Sequence, residues 1–499
     1  MFDQIKNCTK ALICVCCDAR RSRTPRRAAR AAAPGPGGLT EGAATLSPPV
    51  RRPLRRRALV PLAVLPLLAL TACGGPSGGD DGDGRAAKCE KSEGKVRLSF
   101  WSWVPGIEKA VDEWNRQNPR IQVKVKSTPA GNAGTYQNMA NALKAGNAPD
   151  LGQMEYDSLA NFRLKDGLRD ISRCPGVKAA EAEFVDWTWS QVTFGADGED
   201  GVWALPQDTG PMGLFYRKDL FKKYDIPVPE TWAQYYEAAK KLKKAGPGSY
   251  ITHFSQTDPN WLTGLMWQNG SQMFRRQGDK WKVSVDSPGN RKVTDYWQKM
   301  IDEKLVATDL QGFSPALYKA WNDGEVATWV GAAWGYSTIR DNAKKTAGKW
   351  AVAPMPQWSK GEQKAGNWGG STTAVLAGSK HPYEASQFAW WLNTDPEALA
   401  ILNREGGLYP AAKKGLELPA LQKPVDFYGD QKIFGTFARA SRNVDTDWTW
   451  GPTMTDTYRS MGDGIADALG GKGTLGGALK QTNRKTVESL RNQSLEVAK

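Results

Sequence analysis

Histidine is almost missing. The 499 residues hold two, His253 and His381. A histidine-based metal cluster or a Ser-His-Asp triad draws on more than this pair offers, so both chemistries are all but excluded. Cysteine is scarce too, with seven in all. Four of them crowd at Cys8, Cys14, Cys16 and Cys17, with no second ligand pair and no His nearby, which argues against a metal site. After residue 73 no apolar run approaches the ~20 residues of a membrane span. No internal repeat is visible. Gly471-Lys472 is followed by Gly473 rather than Ser or Thr, and Ala466 stands where a phosphate-binding loop needs glycine. The chain therefore lacks the motif for ATP hydrolysis.

Excess positive charge is present, and its position matters. The formal net charge is +15, which by itself points to a polyanion. Residues 1–72 hold 13 Lys and Arg against three acids, and so carry +10 of it. The remaining +5 is spread over a long chain and makes no case for nucleic acid. With 40% apolar and 24% charged residues, the composition is that of a globular protein of two or three domains or lobes. All 21 tryptophans follow residue 72. That number exceeds what a core requires and points to a cleft where aromatic faces bind.

The basic N-terminal part has the layout of an export signal. Arg51-Arg-Pro-Leu-Arg-Arg-Arg57 precedes a short apolar run, residues 58–70, and then Thr71-Ala72-Cys73-Gly74-Gly75. A basic stretch, a short apolar stretch and small residues make a secretory signal. Leu70-Thr71-Ala72-Cys73 resembles the bacterial lipobox, in which the cysteine is lipidated and becomes the first residue of the mature chain. Residues 50–72 are thus expected to be a lipoprotein signal peptide, and 73–94 a flexible tether rich in Gly, Ser and Asp. Residues 1–49 are expected to be an extension from an upstream start, with Val50 fitting the true one. With Cys73 lipidated, Cys89 and Cys174 remain for a disulfide in an oxidising compartment; the alternative is two buried thiols.

Beyond the tether the pattern is α/β. Val96 to Val104 and Ile121 to Val125 alternate like strands, and Pro149-Asp150-Leu151 opens a third. Between them Ile107, Ala110, Val111 and Trp114 share one helical face, as do Tyr136, Met139, Ala140 and Leu143. This β-α-β-α-β rhythm predicts helices packed on a sheet. Helices dominate later: Trp232 to Leu242, one opened by Asp258-Pro259, Val293 to Ile301, residues 382–393, 396–405 and 475–497. Short strands return at 326–330 and 372–376.

Four stretches then carry a resemblance. They are Leu98-Ser-Phe-Trp-Ser-Trp103 with Trp114-Asn-Arg-Gln-Asn-Pro119; Ala145-Gly-Asn-Ala-Pro-Asp150 with Glu155-Tyr156-Asp157; Trp203 through Asp219; and Trp321 through Trp334. In order and spacing, over about residues 95–405, they are similar to the extracellular solute-binding proteins of ABC importers, family 1, the group that includes maltose-binding proteins. The resemblance implies a two-lobed periplasmic-binding-protein-like (type II) fold with hinge strands between the lobes. One lobe would take 95–207 and 325–371, the other 208–324 and 372–499. Residues 408–450 depart from the shorter members.

The implied function is a cell-surface lipoprotein, no enzyme, that binds a carbohydrate between its lobes. It would be a monomer, use no cofactor and no metal, and pass its ligand to permease subunits served by a separate ATPase. Aromatic rings suit the C–H faces of a sugar, and carboxylates suit its hydroxyls. The expected ligand-binding residues are Trp101, Trp103, Trp261, Trp334, Trp368 and Gly369, with Glu155, Asp157 and Asp208 as hydroxyl acceptors. Asp208 has a second reading as a brace of the hinge. Two competing functions are a secreted glycoside hydrolase, for which a Trp-lined cleft with paired acids is equally apt, and the same fold with a non-sugar ligand. The latter calls for Arg or Lys in the cleft, and the sequence places none there.

Overall fold

The computed structural model describes residues 89–196 and 199–498. The expected extension, the signal peptide, most of the tether and Cys73 lie outside them. Among the described residues no helix is long and apolar enough to cross a membrane.

Two separate sheets organise the chain. The first has the strand order Ile121–Ser127, Val96–Ser102, Leu151–Glu155, Ser371–Val375, Leu205–Pro206. Its first three strands run parallel, and the last two join antiparallel. Val96, Leu98 and Phe100 are buried on one face, as their alternation requires. The helix Ile107–Gln117 covers them with Ile107, Ala110, Val111 and Trp114. Gly106 starts that helix at φ +71. There a Cβ would stand 2.6 Å from Glu405, so glycine suits the turn both by conformation and by space. The second sheet is Thr328–Ala332, Met212–Arg217, Trp350–Pro354, with the middle strand antiparallel to both neighbours.

These pairings overturn the expected division of the later chain. Residues 325–371 were assigned to the first lobe, but the strands Thr328–Ala332 and Trp350–Pro354 both flank Met212–Arg217 in the second. Residues 372 onward were assigned to the second lobe, but Ser371–Val375 pairs with Leu151–Glu155 in the first. The helices Pro382–Thr394 and Pro396–Gly406 follow it there and pack on Ile107–Gln117. The reason is that the chain changes sheets after residue 354, not before 325, and a short apolar strand reads alike in either sheet.

Three segments run side by side between the sheets. Thr209 N–H donates to the Tyr409 carbonyl at 2.8 Å, Trp368 N–H to Gly210 at 2.8 Å, and Ala411 N–H to Gln207 at 3.1 Å. The three hinge segments are thus residues 207–212, 366–371 and 408–412. The last returns the chain to the second lobe, which places the stretch 408–450 that departs from the shorter members. Helices Met454–Leu469 and Leu475–Asn492 then pack on each other, and the first of them also touches Tyr156–Leu164 across the divide.

Cys89 and Cys174 form a disulfide, with Cα atoms 5.0 Å apart and a sequence separation of 85. Much of the tryptophan excess turns out to be core: Trp232, Trp267, Trp297, Trp321 and Trp350 are among the largest fully buried side chains.

Candidate functional site

The acids gather where the first sheet meets the hinge, at the carboxyl end of the strand Leu151–Glu155. Glu155 ends that strand and takes the position before the helix Tyr156–Leu164, in extended backbone at φ −70, ψ 149, with its carboxyl making no capping bond. The Tyr136 hydroxyl accepts from Glu155 N–H at 2.8 Å and donates to its carboxylate at 3.1 Å. Trp103 stands edge-on to Tyr136, centroids 5.9 Å apart. Asp157, one step into the helix, accepts from the Ser158 hydroxyl at 2.9 Å and from Asn260 Nδ2 of the second lobe at 3.2 Å.

Asp208 lies on the first hinge segment and is buried. One of its oxygens accepts from Ser371 N–H at 2.7 Å, on the second segment. It therefore braces the hinge, the second of its two expected roles. Asp258 joins from the second lobe. It caps the helix Pro259–Gln268 by accepting from Trp261 N–H, and its carboxyl also meets the Trp368 side chain.

Four carboxyls in one buried region cannot all stay charged at ordinary values. Burial pushes Asp208 and Asp258 up to about 7. Glu155 is also raised, first by burial and then by the Asp157 charge, and burial raises Asp157. Glu155, Asp157, Asn260, Asn367, Gly369 and Tyr458 line a cavity with about 10 Å³ of free space. That is room for about one water, so the lobes must part here before anything larger enters.

Aromatic rings form the wall on the second lobe. Trp334 follows the strand Thr328–Ala332 and opens the helix Gly335–Asn342. Its indole N–H donates to the Trp368 carbonyl at 3.0 Å, and the two rings lie 4.9 Å apart. Phe313 covers both, at 6.0 Å from Trp334 and 5.9 Å from Trp368. It is 47% exposed and sits at φ +56. A bulky residue in the left-handed region costs about 1–2 kcal/mol, and such strain concentrates where ligands bind. Gly369 and Gly370 follow Trp368 at φ +71 and +94. A Cβ on Gly370 would stand 2.9 Å from the Asp208 carbonyl oxygen, so the close approach of two hinge segments requires glycine there.

The structure therefore brings Trp103, Glu155, Asp157, Asp208, Trp334, Trp368 and Gly369 to one region. It does not bring two others. Trp261 is core: it is 7% exposed, its indole donates to the Val330 carbonyl at 2.7 Å, and it packs on Trp297 at 4.9 Å. First-turn helical placement let its ring turn inward as readily as toward the cleft. Trp101 belongs to the strand face that also carries Arg97 and Ser99, opposite Phe100, with the Lys126 ammonium 4.4 Å from its ring.

Tyr136, Asp258, Asn260 and Phe313 were not foreseen. Asp258 reads only as a helix cap, and it is both cap and cluster member. Phe313 had a legible signal: a lone aromatic in the polar turn Gln311-Gly312-Phe313-Ser314, where no core face calls for one.

The family described as bacterial extracellular solute-binding protein matches residues 101–398. An arabinooligosaccharide-binding protein of Halalkalibacterium halodurans is 27% identical, over 67% of this chain and 76% of its own. A lipoprotein of Streptomyces antibioticus is 26% identical, over 74% of this chain and 79% of its own. Among solved structures, the galacto-N-biose-/lacto-N-biose I-binding protein of the ABC transporter from Bifidobacterium longum, in complex with lacto-N-biose, superposes with a TM-score of 0.73 and 28% identity. That likeness covers 82% of this chain and 100% of the other. With more than half its length matched and the two-lobed architecture in common, the chain belongs to the bacterial extracellular solute-binding protein family.

Proposed function

We propose that the chain is the receptor of an ABC importer and that it captures an oligosaccharide between its lobes for delivery to the permease. The observation that carries this reading is an aromatic cluster next to a carboxyl cluster, joined through Gly369, which lines the acid cavity and on which a Cβ would stand 3.5 Å from the Trp334 indole nitrogen. Phe313, Trp334 and Trp368 offer ring faces on one lobe, while Glu155 and Asp157 offer hydroxyl acceptors on the other. A sugar has apolar faces and a hydroxyl rim, and so fits both. The names of the relatives, for arabinooligosaccharides and lacto-N-biose, support a ligand of more than one sugar unit.

Ligand that touches both lobes favours the closed state by its differential affinity for it, and the permease reads that state. The export signal at 50–72 would send the receptor across the cytoplasmic membrane, and lipid on Cys73 would then hold it at the outer face. ATP hydrolysis belongs to another chain.

A thermal-shift screen of the purified protein against mono- and oligosaccharides tests the reading. A binder at a hundredfold excess over Kd adds about 2.7 kcal/mol of stability. Stabilisation by at least one oligosaccharide is expected. A flat response across the screen, or hydrolysis of an oligosaccharide by the purified protein, overturns it.

A further inference from the structure

A second cavity, of about 340 Å³, opens between the lobes beside the base of the cleft. It shares Tyr156 and Trp450 with that base, so the two spaces are adjacent. The size falls at the lower end of small-molecule sites. Phe194 of the first lobe and Trp281, Trp448 and Trp450 of the second line it. Trp448 is held flat against Trp267, centroids 4.8 Å apart at 12°, and Trp450 stands edge-on to Trp448 at 5.3 Å.

Two guanidinium groups face this space from opposite lobes. Arg163 extends from the helix Tyr156–Leu164, its Cζ 4.8 Å over the Trp203 ring. Arg276 comes from the strand Phe274–Gln277, its Cζ 5.9 Å from Trp281, and donates across the divide to the Gly195 carbonyl. Arg163, whose Nε is buried with no acceptor, lines the cavity together with Arg276. The one carboxylate in the lining, Asp279, is exposed at the rim. Burial lowers the Arg163 pKa and the Arg276 charge adds to that effect, with Asp166 and Asp170 opposing it. Donors left without acceptors and cations left facing each other both cost stability, and a ligand that brings an anionic oxygen pair relieves both at once.

We propose that this cavity is a subsite for an acidic sugar unit, whose carboxylate lies between Arg163 and Arg276 while the aromatic lining covers its ring. The proposal rests on the oligosaccharide reading above and narrows it to saccharides that carry anionic groups. A sulfate ester presents the same chemistry as a uronosyl carboxylate, and the test separates the two.

The experiment is calorimetric titration of the purified protein with an array of matched oligosaccharides: neutral, uronosyl and sulfated members of the same linkage. At least one uronosyl member is expected to bind about tenfold or more tighter than its neutral match, with an advantage that shrinks from 50 to 500 mM salt. Arg276→Gln and Arg163→Gln are each expected to remove most of that preference, read as the ratio of acidic to neutral affinity, because loss of the cross-lobe bond from Arg276 to Gly195 weakens both ligands alike. Arg276 is exposed, so its variant reports even if Arg163→Gln fails to fold. A preference for sulfated over uronosyl members keeps the anion subsite and reassigns its source. If neutral members bind as tightly as their acidic matches, or if Arg276→Gln leaves that ratio intact, the inference is wrong and the receptor reading survives. If no member of the array binds, both fall.

Discussion

Asn260 and Asp157 meet across the cleft: the Asn260 amide nitrogen, on the second lobe, lies 3.2 Å from an Asp157 carboxylate oxygen on the first. Other bonds span the divide further on: Asn161 to the Pro452 carbonyl at 3.0 Å, Gln191 to the Trp448 carbonyl at 2.9 Å, and Arg276 to the Gly195 carbonyl. The described state is thus a lobe-to-lobe contact with its own polar latch.

Weakening the latch should open the molecule. Asn260→Ala is expected to raise the radius of gyration of the ligand-free protein in small-angle scattering, by a shift in populations and not by unfolding. An unchanged scattering profile would show that the amide bond contributes nothing to closure.

Phe313 offers the cleanest test of the aromatic wall. Because its ring is half exposed, Phe313→Ala should change stability by less than about 1 kcal/mol. It should weaken the oligosaccharide found by the screen about tenfold, the ~1.4 kcal/mol expected of one lost ring face. Trp368→Ala should abolish binding as well. With 5% of its surface exposed, however, it should also cost about 3–5 kcal/mol of fold stability, so its loss of binding is informative only beside an unfolding curve. Normal binding by Phe313→Ala would remove it from the site.

Stability of the ligand-free protein should fall as pH rises. Asp208 and Asp258 titrate near 7 when folded and near 4 when unfolded. Between those values the folded protein retains protons that the unfolded chain has released, so stability is greatest at the acidic end and is lost up to about pH 7. Each group contributes at most about 1.4 kcal/mol per pH unit. Asp258→Asn keeps the helix cap, since Asn caps as well as Asp, and should flatten the slope of Tm between pH 5 and 8. A slope equal to that of the parent would contradict the buried-acid account.

Gly370→Ala tests the hinge. The residue sits at φ +94, and an added Cβ would crowd both the Asp208 backbone oxygen and the Tyr156 ring, at 2.9 and 3.0 Å. The urea midpoint should drop by the equivalent of about 1–3 kcal/mol. An unshifted midpoint would mean that the hinge segments slide apart freely.

Removing the disulfide should cost less than its loop length implies. The chain-entropy model gives about 4–5 kcal/mol for a loop of 85 residues, but measured losses run nearer ~2–4. Cys89→Ser should lower Tm accordingly, and reductant should then have no further effect on the variant.

The parts legible in the sequence were those with local causes. Strand alternation at Val96, Leu98 and Phe100 and the helical stripe of Ile107, Ala110, Val111 and Trp114 depend on nearest neighbours alone, and both form as written. The capping aspartate before Pro259 is another such case. Which sheet a strand joins is not local. Thr328–Ala332 and Ser371–Val375 are both short and fully buried, and each was placed in the wrong lobe. Tryptophan divided the same way. Trp334 and Trp368, expected at the site from their positions after a strand and beside glycines, pack on each other near the hinge, whereas the first-turn ring of Trp261 turns into the core. Arg163 and Arg276 were invisible as a pair because 112 intervening positions, and the closure of two lobes, bring them to one cavity.

The exchange of segments between lobes has a consequence for how the chain is made. The strand Leu151–Glu155 is completed by one that lies far downstream: Thr372 bonds to the Met154 carbonyl across 218 residues of sequence. Until that second strand exists, the first lobe has an open edge and an unfinished core, and the second lobe is still being threaded between its halves. The first lobe cannot be finished until most of the second has emerged, and contacts of such long range form slowly. A chain built this way stays uncommitted while most of its length emerges, which is the state in which an exported polypeptide passes through a membrane pore.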